Sequence, residues 1–155
     1  MGLWRRGGHR TKGEHDEVVI LGREVIAGAY PAELVAFDDV ACELRRGRAS
    51  SARRPRPPVA ASGSISPALL GVLQALSAAF GTGTPGPLPE PARRRVATLL
   101  NRRPGATALT PAEETAVRDT LVEAAVSRHS LSRDDAERLG SAVIATLRLR
   151  GDCRR

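Results

Sequence analysis

A chain of 155 residues is about one domain long, and its 41% hydrophobic content is that of a globular protein. The hydrophobes are mainly Ala, Leu and Val, with Trp4, Tyr30, Phe37 and Phe80 the only aromatics, a mixture that favours helices and argues against a sheet-based fold. The net charge of +7 is concentrated in two places, Arg5, Arg6, Arg10 and Lys12, and then Arg45, Arg46, Arg48, Arg53, Arg54 and Arg56, so it describes the predicted tail and linker rather than the packed helices.

Residues 1–16 read as a disordered tail with Trp4 as its one anchor. They carry no apolar run of the kind a secretory signal needs. Residues 17–47 read as an acidic helical hairpin. Val18, Leu21, Val25 and Ala29 form a helical stripe with Ile26 beside it. Because that pattern outlasts a strand, helix is favoured over the short strand that residues 18–21 could form. Pro31 suits the first position of the next helix, whose inner face is Leu34, Phe37, Ala41 and Leu44. Cys42 is expected as a small buried residue on that helix. Arg45 and Arg46 complement the helix dipole, and Gly47 is the expected left-handed cap. Residues 48–65, rich in Arg, Pro and Ser, read as a linker.

Residues 66–151 read as a helical bundle, and its first helix is the unusual one. From Pro57 to Pro89 there is no Asp, Glu, Lys, Arg or His. Leu69, Val72, Leu73, Leu76 and Phe80 make a large-residue face, while Ala68, Gly71, Ala75, Ala78 and Ala79 make a small one. A helix without charge on any side asks for cover on every side. That cover can come from the chain itself, a second protein or a lipid surface. As a helix, residues 65–80 span roughly 24 Å, short of the ~30 Å hydrocarbon core, which favours a buried central helix over a membrane helix. Gly81, Gly83 and Gly86 spell a dinucleotide-type glycine pattern. They follow a helix instead of a strand and are interrupted by Pro85, so they read as a helix–helix loop.

A further helix from Pro91 buries Ala92, Val96, Leu99 and Leu100 and ends at Pro104 and Gly105. Thr110, Pro111 and Glu113 then form a cap, a first-position proline and a capping-box acid. That helix buries Val117, Leu121, Ala124 and Ala125. Ser132 starts the last one, with Ala136, Leu139, Val143 and Leu147 inward and Gly151 closing it. The short connection from His129 to Leu131 predicts antiparallel packing of these two. Residues 152–155 are a second tail. The whole is expected to be all-α, a small irregular bundle of five to six short helices.

No catalytic constellation emerges. Cys42 and Cys153 fit no zinc spacing and suit a reducing compartment, so a cytoplasmic location is expected. His15, Asp16 and Glu17 read as solvated tail rather than a metal site. Asp38 and Asp39 diverge by about 100° on a helix, a poor arrangement for paired carboxylates. No cofactor, metal or small-molecule substrate is indicated. The abundance of Arg, Ala, Gly and Pro, with Lys12 the only lysine, suggests a GC-rich bacterial coding sequence.

Leu131, Ser132, Ala136, Glu137, Arg138, Leu139 and Gly140 resemble the middle of the bacterial helix-turn-helix found in response regulators, and Leu109 to Glu113 resembles the start of that domain. The resemblance implies DNA recognition, with Thr146, Arg148 and Arg150 as the base readers. Against it, Ser141 to Leu147 is almost wholly apolar, whereas a recognition helix presents polar side chains to base edges.

The reading favoured from the sequence is a non-enzymatic interaction or adaptor module. It would bind a protein partner, or itself as a homodimer, through an apolar helix face, with Leu34, Phe37, Gly71, Ala75 and Ala78 as candidate interface residues. The alternative is a nucleic-acid-binding or transcription-regulatory protein using Arg53, Arg54, Arg56, Arg93, Arg94, Arg95, Arg102 and Arg103. Membrane association through residues 65–80 is the third reading.

Overall fold

The computed structural model describes residues 12–49, 65–81, 88–101 and 107–152. The arginines at 53, 54, 56, 102 and 103, the glycine-rich loop beyond Gly81, the Pro104–Gly105 stop and Cys153 lie outside the described residues, as do the side chains of Ala78 and Phe80. The described residues form six α-helices and one 3-10 turn, with no strand among them. In chain order these are α1 (Lys12–Ala29), the 3-10 turn Pro31–Glu33, α2 (Leu34–Ala49), α3 (Ile65–Gly81), α4 (Glu90–Leu100), α5 (Pro111–His129) and α6 (Arg133–Asp152). The all-α bundle expected from composition and periodicity is the fold.

The stretch that could have been strand or helix is helix. α1 starts at Lys12, so the first five residues assigned to the N-terminal tail after residue 11 belong to it. It buries Val18, Val19, Leu21, Val25 and Ile26, but Ala29, the expected end of the stripe, is exposed. Tyr30 leaves the helical conformation, and Pro31 opens the 3-10 turn that leads into α2. The turn arises where the missing proline N–H costs nothing. α2 runs through Gly47 to Ala49, so Gly47 is a helical residue and not a cap. Cys42 is exposed, contrary to expectation, because α2 buries only the side that carries Phe37 and Ala41.

The uncharged helix α3 packs against α1, α2, α4 and α5, and α1 packs against α2, α3, α4 and α6. The two helices share the centre. Leu69, Leu70, Val72, Leu73 and Leu76 of α3 are buried in one core with Leu21, Val25, Ile26 and Phe37, and Ala68 is buried as well. Full burial of a Leu or Phe side chain contributes about 1.5–3 kcal/mol, so this core accounts for α3 holding its place without a single ion pair.

α5 and α6 form the predicted antiparallel hairpin. Arg148 near the end of α6 meets Glu114 at the start of α5, and Gly140 in the middle of α6 lies against Arg118 and Val122. Both helix starts follow the sequence. Thr110 Oγ1 accepts from the Glu113 N–H at 3.3 Å, and Glu113 Oε2 accepts from the Thr110 N–H at 2.9 Å, a complete capping box. Ser132 Oγ accepts from the Asp135 N–H at 3.1 Å. The reversal between them is made by Ser130, the one non-glycine residue with positive φ among the described residues (φ 52°), stabilised by the Leu131 N–H donating to the Ala125 carbonyl.

Three long-range contacts fasten the bundle. Glu33 Oε2 accepts from both the Ser66 N–H (3.2 Å) and Ser66 Oγ (2.9 Å), so a residue 33 positions earlier caps the amino end of α3. Phe37 lies over Gly22, where an added Cβ would stand 2.7 Å from the ring. Arg150, with a side chain only 7% exposed, donates from Nε to Glu24 (2.8 Å) and from Nη1 to the Leu99 and Leu100 carbonyls (both 3.1 Å). It joins α6 to α1 while satisfying the carbonyl end of α4.

Candidate functional site

The residues singled out from the sequence as interface candidates separate in space. Phe37 is fully buried in the core, held there by the notch at Gly22, so it presents no external surface. Leu34 is half-buried at the start of α2. Gly71 and Ala75 lie together on the half-buried side of α3, with Pro67, Gln74 and Ser77 on the same side. At 100° per residue these positions occupy one strip, opposite the buried Leu69, Leu73 and Leu76. The strip is neutral over its whole length because α3 contains no ionisable residue.

Part of the strip is occupied by the chain's own His129. A Cβ built on Gly71 would lie 2.6 Å from Nε2 of that imidazole and closer still to its Cε1. The small residue thus serves close approach, as expected, but what approaches is the last turn of α5. His129 is half-buried, and its pKa lies below the usual imidazole value because burial disfavours the charged ring and the neighbouring Arg128 adds repulsion. Nothing among the described residues hydrogen-bonds the ring. No local pattern signals this pairing, since it joins residues 58 positions apart with no motif at either end.

The basic residues have a different disposition. Arg93 and Arg94 both bond Glu90 on their own helix, the latter at 3.0 Å. Arg95 grips both oxygens of Glu113 at 2.8 and 2.9 Å, which joins α4 to the start of α5. The Glu113 carboxyl is held below the usual carboxylate range, first by the Thr110 N–H and then by Arg95. Glu90 and Glu114 are lowered in the same way by hydrogen bonds from Arg94 and Arg148. The three described arginines of the nucleic-acid alternative are therefore each paired with an acid of this chain, Arg93 and Arg94 sharing Glu90 and Arg95 taking Glu113.

The helix-turn-helix readers fare likewise. Arg150 is buried in its contacts with Glu24 and α4. Arg148 is paired with Glu114, and the Thr146 hydroxyl donates to the Ala142 carbonyl at 3.0 Å. Val143, Ile144 and Leu147 are buried. The apolar run of α6 and Arg150 are thus committed to packing inside the bundle, while Arg148 stays exposed in its pair with Glu114.

Two adjoining depressions follow the outer side of the α5–α6 pair. The larger, about 440 Å3, is lined by Arg118, Asp119, Glu123, Arg133, Glu137 and Ser141. The smaller, about 210 Å3, shares Arg118 and Ser141 and adds Glu114 and Arg148. Both are open and carry both signs of charge, so they present no single-sign field to an ionic ligand. Among the described residues no three His, Cys, Asp or Glu side chains come together as a metal site, and no helix is long and apolar enough to cross a membrane. Comparison with protein families, with curated proteins and with solved structures finds no match to this chain.

Proposed function

We propose that this chain is a non-enzymatic helical interaction module that binds a protein partner, or a second copy of itself, through the neutral strip of α3. One observation carries the reading: the charge-free helix buries its large-residue face in the chain's own core, yet Pro67, Gln74 and Ala75 remain half-exposed beside Gly71. Small neutral residues let another backbone approach closely with little to desolvate, which suits a helix or an extended segment laid along α3. The pairing of Arg93, Arg94, Arg95 and Arg148 with acids of this chain favours that reading over nucleic-acid binding. A cytoplasmic, bacterial origin remains part of the proposal.

The test compares the full chain with Ala75→Arg, by sedimentation across a concentration series and by capture of partner. The substitution places a cation on the strip while leaving the buried face untouched. Loss of self-association or of capture, with an unchanged helical spectrum, is expected. If a folded Ala75→Arg protein behaves as wild type in both assays, the α3 strip is not the contact surface. A salt-sensitive complex with duplex DNA would favour the arginine reading instead, and flotation with liposomes the membrane reading.

A further inference from the structure

The side chain packed onto Gly71 of the α3 strip is His129, and its setting is asymmetric. On one side is Gly71 in a helix with no ionisable group; on the other is Arg128 of its own helix. Past the reversal, the ionisable residues at the start of α6 are Arg133, Asp134 and Asp135. Arg133 is paired with Glu137, and Asp135 accepts from Ser132. No carboxylate among the described residues bonds the ring, so an imidazolium in this seat would have neither a counter-ion nor full hydration. The ring also sits at the end of α5, immediately before the left-handed Ser130, where the last turn of a helix opens at least cost.

We propose that His129 is a pH-sensitive latch on the α3 surface: the neutral imidazole seats on Gly71, and the protonated ring leaves it and uncovers the strip. The seat has the shape this requires. A side chain at position 71 would occupy the space of the ring, so glycine keeps the seat open, and removing the ring exposes the Gly71 backbone of a helix with no ionisable residue. The latch gives the interaction surface of α3 two states, blocked at Gly71 near neutral pH and open along its length under mild acid. Its biological sense rests on the binding role proposed for α3, but the motion itself is a property of the isolated chain and is read without any partner.

The experiment is an NMR titration of the full chain from about pH 7.5 to 5, the range in which an imidazole changes charge. A neutral paramagnetic chelate in solution reports the exposure of individual protons, and the His129 signals are identified by their loss in His129→Asn. The expected result has three parts. His129 titrates below its ordinary value of 6.5. Relaxation of the Gly71 protons by the chelate rises several-fold along the same curve. Leu73, fully buried on the opposite face, does not respond. In His129→Asn the strip has the same exposure at every pH. A flat Gly71 response across the His129 titration overturns the proposal, as does a pH-dependent response that survives in His129→Asn. Broadening of Leu73 together with Gly71 also overturns it, because the transition is then unfolding. Failure of the Ala75→Arg comparison leaves all of these outcomes intact, so the two ideas fall separately.

Discussion

Replacing Arg150 by alanine tests the central claim about where the positive charge of this molecule goes. Arg150 is 7% exposed and makes three hydrogen bonds, one to the Glu24 carboxylate and two to the Leu99 and Leu100 carbonyls. Removing one partner of a buried ion pair costs about 3–5 kcal/mol, but Glu24 is 31% exposed and water recovers part of its solvation. The two carbonyls lose donors worth about 1 kcal/mol each, less whatever water reaches the end of α4. Together these give about 2–4 kcal/mol for Arg150→Ala. For a chain of this length about 2–4 °C of melting temperature is lost per kcal/mol, so a fall on the order of 4–16 °C is expected by calorimetry or circular dichroism. Arg133→Ala is the control, on the same helix: both its guanidinium and its partner Glu137 are exposed, so that pair is screened by water and the loss should be far smaller. Equal, small losses for the two variants would mean that Arg150 is not the fastener described here.

Gly22→Val should destabilise the bundle even though valine is the better helix former, because the new side chain meets the immovable ring of Phe37 and overpacking costs about 1–3 kcal/mol; combining it with Phe37→Leu should recover part of the loss in a double-mutant cycle followed by urea denaturation. Thr110→Ala should cost about 0.5–2 kcal/mol through the lost cap of α5, measured the same way. Glu113 has a pKa lowered in the folded chain, so its stabilising contribution is complete above its unfolded value near 4.5 and disappears as pH falls through the lower folded value; Glu113→Gln should flatten the acid limb of the stability curve. His129 also has a lowered folded pKa, so the unfolded chain takes up its proton first, and stability should be full above about pH 6.5 and decline below it. His129→Asn should remove that slope from chemical denaturation measured at a series of pH values.

Local chemistry was legible in the sequence and distant pairing was not. The caps at Thr110 and Ser132, the antiparallel α5–α6 pair and the buried faces of α4 and α6 follow from residue types within a few positions of one another. Gly47 misleads because a glycine after basic residues is equally compatible with a helix that continues, and α2 continues. Cys42 misleads because its burial depends on which side of α2 meets the core. Phe37 lies on the inner face that periodicity assigns it, but as an interface candidate it misleads, because the notch that receives it, Gly22, is invisible until α1 and α2 are folded together. The pairings of the arginines were the least legible, because the acids that take up Arg95, Arg148 and Arg150 lie 18, 34 and 126 positions away, beyond any local pattern.

The bond between Glu33 and Ser66 has a consequence for how the chain can be rebuilt. Because the polypeptide departs at one carboxylate and comes back to it, everything from α2 to the start of α3 is a closed excursion from a single post. Closing an excursion twice as long costs only about 0.6 kcal/mol more. A foreign domain spliced between Ala49 and Ile65 should therefore leave the bundle standing, which makes that point the natural graft site on this scaffold.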